Sequence, residues 1–166
     1  YQLHNAKQSY TSAEFVDFIT NLVKNQPIIS IEDPFAEDDW DSWKNFASIA
    51  PAHLQILGDD LFTTSQSRLE RGIAEKSANA ILIKPNQNGL VSDTLRVLES
   101  AHVAGFKTVV SARSGETEDS WLADLATGWK AQQIKVGSTH GSERTAKWNR
   151  LLELEATEET SFAQPF

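Results

Sequence analysis

Short apolar runs alternate with helical patterns along the whole chain. Successive runs begin about 26 residues apart, roughly the length of one strand, one loop and one crossover helix. The runs are residues 28–31, 54–57, 80–83, 108–110 and 133–136. They are apolar or nearly so on both faces, as buried parallel strands are. The alternation predicts a parallel α/β protein, built either as an open doubly wound sheet or as a closed barrel.

The helical patterns between these runs carry ordinary boundary and packing signals. Thr11 and Glu14 are spaced as a capping box, which predicts that a helix begins beside them. Trp40, Trp43 and Phe46 recur at a spacing of three residues, and we interpret this aromatic stripe as core packing rather than as a binding surface.

The composition limits both the size and the partners of the protein. The chain has 166 residues, which is the length of one domain. Its net charge of −8 argues against nucleic acid or an anionic membrane as a partner, and no apolar run is long enough to cross a bilayer. The absence of cysteine excludes disulfides, thiol catalysis and thiolate zinc sites, and it fits the reducing cytosol, so we expect a cytoplasmic protein.

Ionisable side chains lie at or just after the carboxyl end of each of the five predicted strands. In α/β proteins, function gathers at this carboxyl edge of the sheet. A single charge there is usually a solvated loop residue or a helix cap, but five charged strand ends in a row indicate that the edge binds something. In chain order they are Glu32-Asp33, Asp59-Asp60, Lys84, Arg113-Ser114 and Lys135. Two acidic ends followed by three cationic ones suggest a divalent cation on one side and an anionic substrate on the other.

These residue types point to one class of reaction. Glu32 and Asp59 are hard oxygen donors suited to Mg²⁺, and a third ligand would be expected. Arg113 can hold a phosphate through two parallel hydrogen bonds. Lys84 follows the central strand, where burial near other cations would make it a general base. The predicted chemistry is removal of a proton next to a carboxylate whose negative charge is stabilised by a metal ion.

The strand-end motifs resemble those of the enolase family, and the resemblance covers nearly the whole chain in the right order. The six-residue motif from Ser114 to Asp119 is the most specific of them. The matching motifs are Ile31-Glu32-Asp33-Pro34-Phe35, Gly58-Asp59-Asp60-Leu61, Ile83-Lys84-Pro85-Asn86-Gln87, Ser114-Gly115-Glu116-Thr117-Glu118-Asp119, Ile134-Lys135, Ser142-Glu143-Arg144 and Ala146-Lys147. The resemblance implies a TIM (β/α)₈ barrel with parallel strands. It also implies a lyase of glycolysis that reversibly dehydrates 2-phosphoglycerate to phosphoenolpyruvate.

The resemblance implies a role for each matching residue. Glu32 and Asp59 match two of the three carboxylate ligands of Mg²⁺, and Lys84 matches the base that takes the proton from C2 and also contacts the substrate. The resemblance further implies a small phosphorylated carboxylate as the substrate and a homodimer as the assembly.

Three further residues match positions that bind the substrate itself. Lys135 matches the cation that faces the substrate carboxylate, and Arg113 and Ser114 match the phosphate-binding pair, with Ser114 also near a second Mg²⁺. Asn86 and Gln87 would be structural or would support the residues that contact ligands.

The same resemblance implies that this chain is only part of a barrel. Residues 1–166 would be the C-terminal five strand–helix units, without the amino-terminal capping domain and the first barrel strands. The chain has no methionine, even at position 1, which fits a piece of a longer protein. The family's first metal-ligand aspartate would precede Tyr1, so we expect the isolated chain to bind Mg²⁺ weakly and to be inactive.

Two positions depart from the family pattern. Enolases carry histidine where this chain has Ala112, beside the substrate phosphate, and this puts ordinary turnover in doubt. Around residues 138–141 the family has an arginine, whereas this chain has His140, which either replaces a lost contact or is simply solvated.

Four other interpretations remain open. An acid-sugar or muconate-type enzyme would share the carboxylates and lysines, but the Ser114–Asp119 motif and Arg113 argue against it. Ala112 favours an enolase paralogue with an altered phosphonate or carboxylate substrate, or a non-catalytic structural or binding protein. A nucleotide-binding doubly wound fold is the weakest alternative, because no glycine-rich phosphate loop follows any predicted strand.

Overall fold

A computed structural model describes residues 1–3 and 7–166. Its strands are β1 (Gln2–Leu3), β2 (Gln8–Ser9), β3 (Ser30–Glu32), β4 (Gln55–Gly58), β5 (Ala80–Ile83), β6 (Lys107–Ser111) and β7 (Gln133–Lys135). Its helices are α1 (Ser12–Asn25), α2 (Trp40–Ile49), α3 (Gln66–Glu75), α4 (Pro85–Asn88), α5 (Val91–Val103), α6 (Trp121–Gly128) and α7 (Ser142–Thr157). In this described part of the chain, no helix is both long enough and apolar enough to span a membrane.

The five longer runs form one parallel sheet whose strand order, β3-β4-β5-β6-β7, is also their order along the chain. At least one helix follows each of these strands, so the predicted parallel α/β class is confirmed. The antiparallel pair of β1 and β2 was not predicted, because strands of two residues are too short to show a period.

The sheet curves so strongly that strands far apart in its order touch across its concave face. The side chains of Gln55 on β4 and Gln133 on β7 exchange two amide hydrogen bonds, of 2.6 and 3.2 Å. A flat sheet would hold strands three positions apart at a distance of about 14 Å. The sheet is therefore a half barrel, which resolves the choice between an open sheet and a barrel wall.

The helices cover the convex face of the half barrel and form the main core with it. Trp43 and Phe46 on α2 are fully buried and Trp40 is nearly so, which confirms that the aromatic stripe is core. The predicted capping box is present at the start of α1, where the Thr11 hydroxyl accepts from the Glu14 amide at 3.3 Å. On the concave face a much smaller apolar cluster lies between the strands, formed by Leu57, Ala80, Leu82 and Val109.

The first predicted strand begins two residues later than the apolar run suggested. The run starts at Ile28, but its amide donates to the carbonyl of Gln26 at 2.8 Å, so it belongs to a turn that follows α1. The first ladder bond is made by the carbonyl of Ile29, which accepts from the amide of Gln55 at 2.9 Å. Local hydrogen bonding thus overrides the apolar pattern here and delays the start of β3 to Ser30, while the strand continues to Glu32.

Two glycines leave room for one aromatic ring beside the Asp59 loop. A Cβ atom at Gly72 on α3 would lie 2.3 Å from the Phe62 ring, and one at Gly58 would lie 2.6 Å from it. The Phe62 ring is fully buried and fills the space between α3 and the end of β4. Any larger residue at either glycine would push the ring, and with it the loop that begins at Asp59, out of place.

Tyr1 packs against the start of α1 and is hydrogen-bonded to the residue before α2. Its ring stacks on Phe15 with 4.3 Å between centroids, and its hydroxyl donates to Asp39 at 2.6 Å. Burial, reinforced by the hydrogen bond to Asp39, raises the pKa of Tyr1 from 10.0 to about 12.

We expect the Tyr1 phenol to ionise near pH 12 in the folded protein. Because folding favours the protonated phenol, its contribution to the free energy of unfolding is complete below about pH 10 and is lost between about pH 10 and about 12. Near-ultraviolet absorbance of a Tyr10→Phe variant measures this, since Tyr1 is then the only tyrosine. Ionisation near pH 10 would contradict the expectation, and adding Tyr1→Phe to the Tyr10→Phe variant should remove the transition altogether.

Candidate functional site

Two ion pairs occupy the carboxyl edge of the half barrel. The ammonium of Lys84, just after β5, lies 2.7 and 2.6 Å from the two carboxylate oxygens of Asp59, just after β4. The ammonium of Lys135, at the end of β7, lies 2.6 and 2.8 Å from the two oxygens of Glu32, at the end of β3. The structure therefore brings together four of the predicted site residues in two pairs, and in each pair a cation sits between both oxygens of one carboxylate.

The two pairs differ sharply in their environment. The side chains of Lys84 and Asp59 are only 11% and 12% exposed, whereas those of Lys135 and Glu32 are 48% and 32% exposed. Since β3 and β7 are the two edges of the sheet, the second pair also spans the opening of the half barrel. It lies at the mouth of a cavity of about 380 Å³ on the concave face, which Gln55 also lines.

Asp33 fixes the backbone from which Asp59 projects. Its carboxylate accepts the amides of Asp59 and Asp60 at 2.8 and 2.9 Å, and its own amide donates to the carbonyl of Leu57 at 3.0 Å. Burial raises the pKa of the Asp33 carboxyl above its ordinary value, although the two amide hydrogen bonds act in the opposite direction. An aspartate that accepts backbone amides in a turn is a common signal, but the sequence alone did not reveal which amides it would meet.

The carboxylates at this edge can hold a divalent cation. Asp33, Asp59 and Asp60 each place one oxygen within 4.8 Å of the others. The donors are carboxylate oxygens, the ligand type that Mg²⁺ prefers, and both Asp59 and Glu32 already hold a positive charge in the form of a lysine ammonium. The residues present therefore fit Mg²⁺, while the assignment of Glu32 and Asp59 as its ligands stays a prediction.

Thr64 is a supporting residue that the sequence analysis missed. Its fully buried hydroxyl accepts from the backbone amide of Lys84 at 2.9 Å and is 3.1 Å from the side-chain oxygen of Gln87. Its carbonyl accepts from the side chain of Asn88 at 3.1 Å. These bonds fasten the start of α4, and with it the backbone of Lys84, to the loop after β4. No local signal around a single threonine could have identified this contact, because the two segments are 20 residues apart.

Arg113 and Ser114 lie together in the loop after β6, in the same motif as predicted. The guanidinium of Arg113 donates to the side-chain oxygen of Asn86 at 2.8 Å, and its amide donates to Glu116 at 2.8 Å. Ser114 is exposed. The contact with Asn86 joins the loop after β6 to α4, which directly follows Lys84, so Arg113 is directed along the same rim as Lys84.

The two departures from the family pattern lie in different surroundings. Ala112 is buried, and its amide donates to the carbonyl of Lys135 at 2.9 Å, between the ends of β6 and β7. A methyl group therefore stands directly beside the rim at this position. His140 is exposed, and its amide donates to the hydroxyl of Ser138 at 2.9 Å, within the loop before α7.

Comparison with known proteins agrees with this geometry. Residues 2–164 match the family described as "Enolase, C-terminal TIM barrel domain". A protein named Enolase from Sulfurimonas denitrificans is 48% identical over 155 residues, which are 93% of this chain and 37% of that protein. The chain thus spans a little more than a third of the length of this curated relative. Together with the curved parallel sheet, the family match confirms the resemblance carried by the strand-end motifs: the chain belongs to the enolase family and matches its C-terminal TIM barrel domain.

Proposed function

We propose that this chain forms the larger part of the active-site rim of an enolase-type lyase. The reaction is the reversible dehydration of 2-phosphoglycerate to phosphoenolpyruvate in glycolysis, in the cytoplasm. The observation that carries the proposal is the pairing of Lys84 with Asp59 and of Lys135 with Glu32 at one edge of the sheet. The Lys84–Asp59 pair removes two charges from water almost completely, which is costly, and it therefore points to a rim that binds a ligand.

Glu32 and Asp59 would hold Mg²⁺. When bound, the ion would withdraw negative charge from the substrate carboxylate, which makes the neighbouring C–H bond more acidic. The two carboxylates are suited to this because each presents both of its oxygens to a cation. Asp33 supports the arrangement by holding the amides that follow β4.

Lys84 is the proposed catalytic residue, the base that takes the proton from C2 of the substrate. It is largely buried, and its backbone is fastened to Thr64, so its amine has a defined position relative to the rim. For the amine to act as a base it must leave the Asp59 carboxylate and be uncharged. The exposed Lys135 would then pair with the substrate carboxylate in place of Glu32.

Arg113 and Ser114 would bind the phosphate group. The guanidinium can donate two parallel hydrogen bonds to phosphate oxygens, and the exposed serine hydroxyl adds a further donor. The contact between Arg113 and Asn86 holds the guanidinium beside the loop that carries Lys84. Phosphate and reacting carbon would therefore be bound by adjacent strand ends.

The remainder of the site would come from other parts of a longer protein. The relative from Sulfurimonas denitrificans is much longer than this chain, which covers only 37% of it. We propose that residues 1–166 are the C-terminal part of the barrel and that the whole protein is a homodimer. On its own this chain should bind Mg²⁺ weakly and dehydrate no 2-phosphoglycerate.

We expect Mg²⁺ and 2-phosphoglycerate to stabilise this chain cooperatively. Ligands that bind the folded state raise its melting temperature, and two ligands that meet in one site raise it by more than the sum of their separate effects. Thermal unfolding with each ligand and with both measures this. Arg113→Gln should abolish the extra shift, whereas Arg96→Gln, an exposed arginine on α5, should keep it. Strictly additive shifts in the unaltered chain would refute the proposal and favour a non-catalytic scaffold.

A second candidate is an enolase paralogue that acts on a related phosphonate or carboxylate. Ala112 favours it, because a buried methyl group lies between the strand ends that would carry the phosphate residues and Lys135. The same thermal experiment with a phosphonate in place of 2-phosphoglycerate separates the two. If Mg²⁺ and the phosphonate stabilised the chain cooperatively while Mg²⁺ and 2-phosphoglycerate did not, the result would support the paralogue.

A further inference from the structure

Residues 113–119, the loop after β6, receive little support from packing. Ser114 and Gly115 are exposed, and a Cβ atom added at Gly115 would meet nothing within 4 Å. Loops of this kind are mobile unless hydrogen bonds hold their backbone. Whatever fixes residues 113–119 therefore decides where the Arg113 and Ser114 side chains point.

Arg144, in the first turn of α7, donates hydrogen bonds to the backbone carbonyls of the two residues that are proposed to bind phosphate. Its guanidinium donates to the carbonyl of Arg113 at 2.7 Å and to that of Ser114 at 2.7 Å. A third bond, of 3.0 Å, reaches the carbonyl of Val136, next to Lys135. The side chain is only 13% exposed, so these bonds are largely shielded from water. One guanidinium thus joins the ends of β6 and β7.

Lys147, one turn further along α7, also contacts residues of this loop. Its ammonium is fully buried, donates to the carbonyl of Thr117 at 2.6 Å and lies 3.0 Å from the carboxylate of Glu116. The other oxygen of Glu116 accepts the amide of Arg113 at 2.8 Å. Arg113 is therefore held at both of its peptide groups, at the amide through Glu116 and at the carbonyl through Arg144.

We propose that Arg144 and Lys147 are positioning residues that set the anion affinity of Arg113 and Ser114 without touching the anion. The proposal rests on the proposed function, in which these two residues bind phosphate. Arg144 donates to three backbone carbonyls, and its Nε lies 3.7 Å from the Glu143 carboxylate, so it acts as a structural clamp and not as a ligand of the anion. The planar guanidinium spreads these bonds over two nitrogens, whereas a lysine ammonium carries all its donors on one nitrogen and cannot reach the same three carbonyls together.

The test is the charge-preserving variant Arg144→Lys. It keeps the positive charge near the loop, so a change in affinity reports geometry rather than long-range attraction. Arg150→Lys is the matched control, because Arg150 lies on the same helix and donates to Asp124 on α6, away from the loop. The probe is inorganic phosphate, followed through the amide chemical shifts of Ser114 and Gly115. Amide hydrogen exchange of residues 114–117 is measured on the same samples.

Arg144→Lys should weaken phosphate binding about tenfold and speed exchange in the loop, since charged hydrogen bonds to the backbone are lost. Arg150→Lys should change neither. Unchanged loop exchange in Arg144→Lys would overturn the proposal, as would faster exchange with unaltered affinity. If the unaltered chain bound no phosphate, the proposed anion site would be wrong. Amide hydrogen exchange in Arg144→Lys would still decide whether Arg144 orders the loop.

Discussion

Replacing Lys84 by methionine should lower the free energy of unfolding by about 3–5 kcal/mol. The change leaves the Asp59 carboxylate, only 12% exposed, without the ammonium that now contacts both of its oxygens. An uncompensated charge in such a place is far more costly than the loss of one hydrogen bond. Urea denaturation followed by tryptophan fluorescence measures the effect.

The other rim pair provides a matched control for this prediction. Lys135→Met makes the same substitution at a pair whose side chains are 48% and 32% exposed, where water solvates the carboxylate that is left behind. We expect a change below about 1 kcal/mol there. The double variant Lys84→Met with Asp59→Leu removes both buried charges and should regain most of the lost stability. Equal losses of unfolding free energy in Lys84→Met and Lys135→Met would show that burial does not determine how much each pair contributes to stability.

The sequence predicted the strands well because burial on both faces leaves a continuous apolar run. The run at 80–83 coincides with β5, and the others differ from the observed strands by one or two residues at their ends. The largest shift is at Ile28, where a turn bond to Gln26 competes with the sheet. Such competition depends on local backbone geometry, which periodicity does not encode.

The candidate site was predictable where it depended on strand ends and unpredictable where it depended on curvature. That Glu32, Asp59 and Lys84 share one edge follows from parallel pairing alone. The contact between Lys135 and Glu32 joins residues 103 apart in sequence and exists only because the two edges of the sheet approach each other. Supporting contacts such as the one between Thr64 and Lys84 are invisible in the sequence for a different reason, since they depend on the path of the loop after β4.

Replacing Lys147 by methionine should be as disruptive as the loss of Lys84, although Lys147 takes no part in the proposed chemistry. Its side chain is fully buried, and its removal leaves the Glu116 carboxylate, 15% exposed, without a counter-ion. We expect the free energy of unfolding to fall by about 3–5 kcal/mol in urea denaturation.

A second substitution separates the charge of Glu116 from its hydrogen bond. Glu116→Gln in the Lys147→Met background removes the unpaired charge but keeps a side-chain oxygen that can accept the amide of Arg113. The carbonyl of Thr117 still loses its donor, so we expect a remaining deficit of about 1–2 kcal/mol. If the double variant were as unstable as Lys147→Met alone, the loss would come from the Thr117 hydrogen bond and the packing of the lysine stem, and the ion pair would not be what anchors the loop to α7.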